Sequence, residues 1–232
     1  MNRDFSASTP LPPLNFSRAL RQTGIALLLC TAVVLVCYFF VDRQVATYVH
    51  DHHLNRFERV KELTFIPPWM QTLSPAVLAL SFVWLAFRPL PRCLQAFFIA
   101  CLSLIIADQF RTSLGDLFGR YWPETWINNN PSWIGNGTYG FHPFQHGDDI
   151  GSFPSGHATR VLGFFSVFWI ALPRARMLYA LLSLPLLVAL IMMNYHFVGD
   201  VIAGSFLGAI VGSYCSLLAN LTKRPIDLSR PS

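Results

Sequence analysis

Charged side chains are scarce in this chain. Only 12% of its 232 residues are Asp, Glu, Lys or Arg, whereas 53% are hydrophobic. A soluble domain usually carries about 25% charged residues. The deficit excludes an ordinary soluble domain and indicates a membrane protein. The net charge of +5 does not indicate nucleic-acid binding, because the basic residues do not cluster into the stripe that such binding requires.

Metal-binding cysteine motifs are absent as well. The five cysteines lie in or beside apolar runs, and none of them forms a CxxC pair. This pattern indicates neither a zinc site nor a disulfide framework. No cluster of carboxylates indicates a metal site either. We therefore expect no metal and no other cofactor.

Long apolar runs are what the sequence does contain. A helix needs about 20 apolar residues to cross the hydrocarbon core of a bilayer, and six stretches qualify. They lie at 22–41, 68–87, 92–110, 157–173, 175–195 and 197–219. The sequence therefore predicts an all-α, polytopic bundle of six transmembrane helices. We expect a single membrane domain over 22–222, with cytoplasmic tails at 1–21 and 223–232.

Two stretches between these runs have a different character. Residues 42–63 mix charged and apolar side chains, which predicts an amphipathic helix on the outer membrane surface. Residues 112–154 are rich in Gly, Pro, Asn, Trp and His and predict one long outer loop. Loops of this length in a compact domain are often functional.

Basic residues predict the orientation in the membrane. With the N-terminus in the cytoplasm, every cytoplasmic loop and tail carries at least two Lys or Arg side chains, as the positive-inside rule requires. These residues are Arg3, Arg18, Arg21, Arg88, Arg92, Arg174, Arg176, Lys223, Arg224 and Arg230. The long loop and both polar clusters described next then lie on the outer side.

The first polar cluster is Pro-Ser-Gly-His, followed three residues later by an arginine. Pro154 suits the start of a helix, and Ser155 can cap it. Gly156 lets a ligand approach the backbone closely. Free N–H groups at a helix start bind anions, most often phosphate, and His157 and Arg160 would face that anion. The cluster therefore predicts a phosphate site.

The second polar cluster is NYHFVGD at 194–200. His196 and Asp200 are four residues apart, so on a helix they share one face. An aspartate that binds one imidazole nitrogen leaves the other nitrogen free to attack or to accept a proton. Two histidines beside an anion site favour phosphoryl transfer, with one histidine as nucleophile and the other as acid.

Together the clusters resemble the type 2 phosphatidic acid phosphatase family, membrane phosphatases related to vanadium haloperoxidases. Its Pro-Ser-Gly-His motif is complete here, and His196 and Asp200 match the His-x3-Asp half of its third motif. The resemblance implies a six-helix membrane phosphatase that needs no metal. It also implies that His196 forms a phosphohistidine, that Asp200 orients His196, and that His157 protonates the leaving oxygen.

The match is incomplete at two basic positions. GRYWP at 119–123 resembles the family's first motif, Lys-x6-Arg-Pro, but Gly115 or Ser113 stands where the lysine belongs, depending on the alignment. The third motif lacks its Ser-Arg pair, because Ala189 and Leu190 occupy those positions. Two of the family's basic phosphate ligands are therefore missing from their usual places.

Three arginines near the clusters can replace these ligands: Arg111, Arg120 and Arg160. A planar guanidinium suits phosphate at least as well as a lysine does. With Ser155 and Gly156, they form the predicted substrate-binding set. The alternatives are a lipid phosphotransferase of the same fold, and a degenerate site that binds or transports a lipid phosphate without cleaving it.

A site at the bilayer face favours a phosphate carried by a lipid. The candidates are a polyprenyl diphosphate, phosphatidic acid, phosphatidylglycerol phosphate and phosphorylated lipid A, and the sequence does not choose among them. Short cytoplasmic loops and compact length are typical of a bacterial inner-membrane protein. The predicted orientation then directs the site towards the periplasm.

Overall fold

The computed structural model describes residues 16–126, 129–144 and 150–219. Within these residues the chain is helical, apart from turns and two isolated β-bridges, in agreement with the predicted all-α class. The helices are α1 (Phe16–Val36), α2 (Asp42–Asp51), α3 (Glu58–Thr64), α4 (Ile66–Leu85), α5 (Arg92–Phe118), α6 (Trp133–Asn136), α7 (Gly156–Ala171), α8 (Arg176–Met192) and α9 (Val198–Leu218). The predicted tails lie outside the described residues, except for 16–21, which belong to α1.

Helices stand at all six predicted apolar runs, but four helical stretches of the described chain are long and apolar enough to cross a membrane. They are Phe16–Asp51, Arg92–Phe118, Pro173–Met192 and Val198–Leu218. Helix α4 begins with prolines and Gln71, which lower its hydropathy, and α7 has only 16 residues. Four spans support an integral membrane protein, whereas six spans remain a prediction.

The first membrane helix is longer than predicted. A π-helical turn at Cys37–Val41 joins α1 to α2 without a break. The predicted surface helix over 42–63 is therefore divided: α2 continues the first span, and a 3-10 turn and α3 follow it. His53 separates the two parts, because its backbone is left-handed with φ 54°. As a result Asp42 is buried rather than on a surface helix.

Helix α9 packs closely along α7. Gly204, Gly208 and Gly212 repeat every four residues on one face of α9. A Cβ atom at Gly208 would overlap the backbone of Thr159 and Gly163 on α7. Small residues at this spacing are a usual means of close helix packing in membranes. The successive contacts run in the same order along both helices, so α7 and α9 are parallel and their first turns meet.

Helix α5 completes this core and extends further than predicted. Its fully buried Ala96 and Ala100 pack with Val167 and Ala171 of α7. It continues past the predicted end at residue 110 and stops at Gly119, whose left-handed φ of 54° ends the helix.

The connection to α7 is therefore shorter than the predicted loop over 112–154. It contains α6 and folds back on itself through bridges between Arg120 and Phe141 and between Trp122 and Ser132. Residues 127–128 and 145–149 of this connection lie outside the described residues.

Candidate active site

Hydrogen bonds join the first turns of α7 and α9. The Ser155 N–H donates to the Asp200 carbonyl oxygen at 3.0 Å. The Ser155 hydroxyl accepts from the Ala158 N–H at 3.4 Å, so Ser155 caps α7. Gly156 packs against Arg111, because a Cβ atom at 156 would lie 3.1 Å from Arg111 Nε. The first turn of α7 thus lies between α9 and an arginine of α5.

The structure brings together the two histidines of the polar clusters. The ring centroids of His157 and His196 are 5.9 Å apart. Both rings face one cavity of about 290 Å³. Its other lining residues are Trp122, Trp126, Asn130 and Tyr195. A single phosphoryl group in this cavity can reach both imidazoles.

A backbone carbonyl orients the His196 ring. Nδ1 of His196 lies 3.0 Å from the Ser152 carbonyl oxygen. Since a carbonyl only accepts, Nδ1 carries the proton and Nε2 keeps a free lone pair. Asp200 Oδ2 is 3.9 Å from Nδ1, beyond hydrogen-bonding distance. Asp200 instead accepts from the Ser152 hydroxyl at 2.5 Å, so it supports His196 through Ser152 rather than by the direct contact expected from the sequence.

The surroundings of His196 keep its ring uncharged. Burial lowers the pKa of His196, and the negative charge of Asp200 opposes that shift. The Trp122 ring contributes to the burial, because its centroid lies 5.2 Å from the His196 ring. An imidazole with a pKa below its ordinary value of about 6.5 is neutral at pH 7. This is the state that a nucleophile needs.

Arg120 is not in the cavity. Its side chain is fully buried; Nη1 binds Asp200 Oδ1, and Nη2 binds Asp42 Oδ2 at 2.7 Å. Burial lowers the pKa of Arg120, but the Asp200 and Asp42 carboxylates outweigh burial and raise the pKa above its ordinary value. The sequence predicts that Arg120 binds the phosphate. In the structure Arg120 is away from the cavity, and no part of the residue is exposed. Arg120 instead holds Asp200.

The two carboxylates that bind Arg120 also accept hydrogen bonds from backbone N–H groups. These groups lie in the turn before α9 and at the start of α9. Asp200 Oδ2 accepts from the Phe197 N–H at 3.0 Å. Asp42 Oδ1 accepts from the Gly199 N–H at 2.9 Å. These bonds connect α2 to the first turn of α9, which carries Asp200 and begins two residues after His196.

Arg111 holds the segment that precedes α7. Its Nε donates to the Pro154 carbonyl at 3.1 Å, and its Nη2 donates to the Gly151 carbonyl at 2.6 Å. A side chain with these two bonds fixes the approach to the helix start and brings a positive charge beside it.

Arg160 has an ion-pair partner that the sequence did not indicate. Its Nε lies 2.9 Å from Asp108 Oδ1 on α5. Gln71 on α4 donates to the other Asp108 oxygen at 2.6 Å. The Arg160 side chain remains 16% exposed and begins one turn after His157. Arg160 is thus close to the first turn of α7 but is not among the residues that line the cavity.

Sequence reasoning missed three residues that shape the site: Asp42, Ser152 and Trp122. Asp42 gave one available signal, since an acidic residue directly after an apolar run is costly to bury unless it has a partner. Ser152 gave none, because its contact to His196 uses a backbone carbonyl that every residue has. Trp122 lies in the GRYWP stretch, but an indole gives no signal in the sequence that it will line a cavity with two histidines.

The described residues contain no group of three or more His, Cys, Asp or Glu side chains that could hold a metal ion. The PAP2 superfamily profile matches residues 96–224, a range that includes most of α5, all of α7 and α9, and every residue lining the cavity. The chain belongs to the PAP2 superfamily. This confirms the resemblance to the type 2 phosphatidic acid phosphatases.

Curated relatives are similar over a shorter range. A lipid A 1-phosphatase from Rhizobium johnstonii is 38% identical over 92 residues, which are 37% of this chain and 38% of that protein. A lipid A 1-phosphatase from Rhizobium etli has the same identity over the same length, 40% of that protein. The chain thus spans about two fifths of each relative in these matches. No solved structure matches the chain significantly.

Proposed function

We propose that this PAP2 protein is a lipid phosphatase that acts through a phosphohistidine. Nε2 of His196 attacks phosphorus, and the bond between phosphorus and the lipid oxygen breaks. The leaving oxygen takes a proton from the protonated ring of His157. Water then gives a proton back to His157 and attacks phosphorus, the bond between phosphorus and Nε2 of His196 breaks, and inorganic phosphate leaves with both rings in their starting states. The observation that carries this proposal is the convergence of the two imidazoles, 5.9 Å apart, on one cavity at a helix start.

The contacts of His196 suit a nucleophile. Its Nδ1 proton is held by the Ser152 carbonyl, which leaves Nε2 for the phosphorus. When Nε2 is phosphorylated, the ring becomes positively charged. The Asp200 carboxylate, 3.9 Å from Nδ1, stabilises that charge.

The phosphoryl oxygens are bound at the start of α7. The free N–H groups of its first turn and the helix dipole attract an anion. Arg111 and Arg160 supply positive charge on the same side and replace the two missing basic ligands. Preorganised donors of this kind are worth about 3–4 kcal/mol each in the transition state. Neither arginine requires a metal ion to act, and we propose that the reaction is metal-independent.

The proposed substrate is a phosphate monoester on a lipid A type of lipid. The similarity to two lipid A 1-phosphatases favours this candidate over a polyprenyl diphosphate, phosphatidic acid or phosphatidylglycerol phosphate. The apolar helices around the site also support a lipid substrate, because such a lipid would share their bilayer. We further propose six membrane spans in one domain over 22–222, with the site facing the periplasm of a bacterial inner membrane.

The decisive experiment follows phosphate release by the purified full chain in detergent. Phosphorylated lipid A, phosphatidic acid, phosphatidylglycerol phosphate and a polyprenyl diphosphate are compared, with and without EDTA. We expect release from lipid A to be fastest and unaffected by EDTA. Transfer of the phosphoryl group to another lipid instead of water would favour a phosphotransferase. The absence of release from every lipid would overturn the phosphatase proposal.

The intermediate is tested separately. Lipid carrying radioactive phosphate is mixed with enzyme and quenched in alkali, where phosphohistidine survives and acyl phosphates do not. We expect label on His196. Label on another residue, or full turnover with no covalent label under conditions that slow the second step, contradicts the proposed nucleophile.

A further inference from the structure

Three buried charged side chains stand in a row behind the cavity. Asp42, Arg120 and Asp200 each have 0% exposed side chain. Arg120 joins the two carboxylates, which belong to α2 and α9 and are far apart in sequence. Burying charges is costly unless they are paired and hydrogen-bonded. A packing role alone would be filled at lower cost by apolar side chains, so the charges themselves require an explanation.

The row carries one negative charge in excess. Two carboxylates and one guanidinium sum to a net charge of −1, and Asp200 at its end lies 3.9 Å from His196 Nδ1. The neutral imidazole does not balance this charge, but the phosphorylated ring does. The cluster is therefore electrically balanced only when His196 is positively charged.

We propose that Asp42 is a positioning residue of the active site, which acts through Arg120 to hold Asp200 and to supply the excess negative charge that stabilises charged His196. This inference rests on the phosphohistidine mechanism proposed above. Asp42 touches neither substrate nor His196. Its other contact, the Gly199 N–H at 2.9 Å, fixes the same first turn of α9, so position and charge act at one place.

The groups that face His196 decide what a change at Asp42 should do. Asp200 lies in the first turn of α9, which begins two residues after His196, with Arg120 behind it. His157 faces it from α7, and Arg111 lies on α5 beside the start of α7. Arg111 and a charged His157 disfavour a positive charge on His196, whereas Asp200 favours it. Without the Asp42 charge, Arg120 neutralises Asp200 completely, and His196 is harder to charge.

The first test is kinetic and uses Asp42→Asn, which keeps the shape and an acceptor for Gly199. We expect kcat for phosphate release to fall about 10- to 100-fold, by analogy with carboxylates that support metal-ligating histidines, with KM changed less than twofold. The acidic limb of kcat/KM should move to lower pH by on the order of one unit. The pH at which this acidic limb lies does not depend on the fraction of enzyme that is folded. A less stable variant therefore still gives an interpretable profile.

Two further variants separate positioning from general stability. Asp51→Asn removes the same charge from the exposed end of α2 and should leave rate and pH profile unchanged. Asp42→Asn combined with Asp200→Asn should be no slower than Asp200→Asn alone, because groups that act as one unit are not additive.

A second measurement needs no turnover. A protonated imidazole quenches a neighbouring indole, and Trp122 lies 5.2 Å from His196 between ring centroids. The emission of Trp122 is obtained by subtracting the fluorescence of Trp122→Phe from that of the unsubstituted protein. The pH midpoint of this emission is assigned to His196 if the transition disappears in His196→Gln. We expect Asp42→Asn to lower this midpoint by on the order of one pH unit.

The outcomes distinguish the two proposals. If the wild type releases no phosphate from any lipid but the fluorescence midpoint still falls in Asp42→Asn, the phosphatase proposal fails and the electrostatic link stands. If the midpoint and the acidic limb are unchanged in Asp42→Asn, the link is overturned, whatever the rate. Where the wild type does release phosphate, a variant rate equal to that of the wild type overturns the positioning role of Asp42 as well.

Discussion

His196 and His157 face the same cavity but have opposite surroundings. His196 is backed by acceptors: the Ser152 carbonyl at 3.0 Å and the Asp200 carboxylate at 3.9 Å. His157 begins α7 with arginines near it, since Arg111 packs against Gly156 and Arg160 lies one turn on. Negative groups thus stand behind one ring and positive groups beside the other.

This difference explains how two identical side chains can take different roles. A ring backed by carboxylate and carbonyl is stabilised as a cation, which suits a nucleophile that becomes phosphorylated. A ring among guanidinium groups is destabilised as a cation, which makes it a ready proton donor once a phosphate anion has entered. The four predictions below test this assignment, from the largest expected effect to the smallest.

Replacing His196 should have the largest effect. His196→Gln removes the nucleophile, and we expect phosphate release to fall about 10⁴-fold or more, as for other nucleophiles of this kind. Release is measured with phosphorylated lipid A. His52→Gln, an exposed histidine on the end of the first helical stretch, serves as the matched control and should keep full activity. A His196→Gln enzyme that remained active would reverse or remove the proposed roles.

Replacing His157 should have a smaller effect that depends on the leaving group. For a lipid phosphate, His157→Gln should lower the rate about 10²–10⁴-fold, the usual range for a general acid. For p-nitrophenyl phosphate, whose leaving oxygen needs no proton, the loss should be much smaller. Both substrates are assayed with one preparation of the variant. Equal losses on both would contradict the assignment of His157 as the acid.

Replacing Arg160 tests the positive side of the cavity. Arg160→Met keeps the length of the side chain and removes its charge, and we expect kcat/KM to fall about 10²-fold through the loss of one phosphate ligand. Asp108→Asn leaves the guanidinium in place and removes only its ion-pair partner, so its activity should stay within about fivefold. If both variants were equally impaired, Arg160 would act through packing with α5 rather than on the phosphate.

The smallest effect concerns the packing that brings the two histidines together. Gly208→Ala places a methyl group against the backbone of Thr159 and Gly163. Overpacking of this kind costs about 1–3 kcal/mol in the free energy of unfolding. Gly24→Ala on α1, where nothing lies within 4 Å of the added atom, is the control and should not destabilise. Thermal unfolding in detergent measures both, and equal melting temperatures would show that α7 and α9 can separate freely.

Two local patterns contain the histidines that the structure brings together. Pro-Ser-Gly-His contains its own cap and helix start, and His196 and Asp200 are only four residues apart, so each motif could be interpreted without knowing the fold. The apolar runs likewise predicted where α5 and α9 lie. The end of α5 was less predictable, because its last turns are too polar for a membrane span yet suit a helix outside one.

Contacts across long sequence distances could not be predicted. Arg120 and Asp42 are 78 residues apart, and no spacing rule connects them. Arg120 resembled a phosphate ligand because its type and motif context fit one. Only the folded chain shows that a buried carboxylate already occupies each side of its guanidinium.

The position of Asp42 also limits where the chain can be divided into fragments that keep the site intact. The PAP2 match begins at residue 96, well after α2, so a fragment or chimera cut at the family boundary would retain both imidazoles and lose one carboxylate. Arg120 would then be left with an unused hydrogen-bond donor in an apolar interior. A chimera of two relatives would therefore have to include the first helical stretch together with the segment that contains both imidazoles.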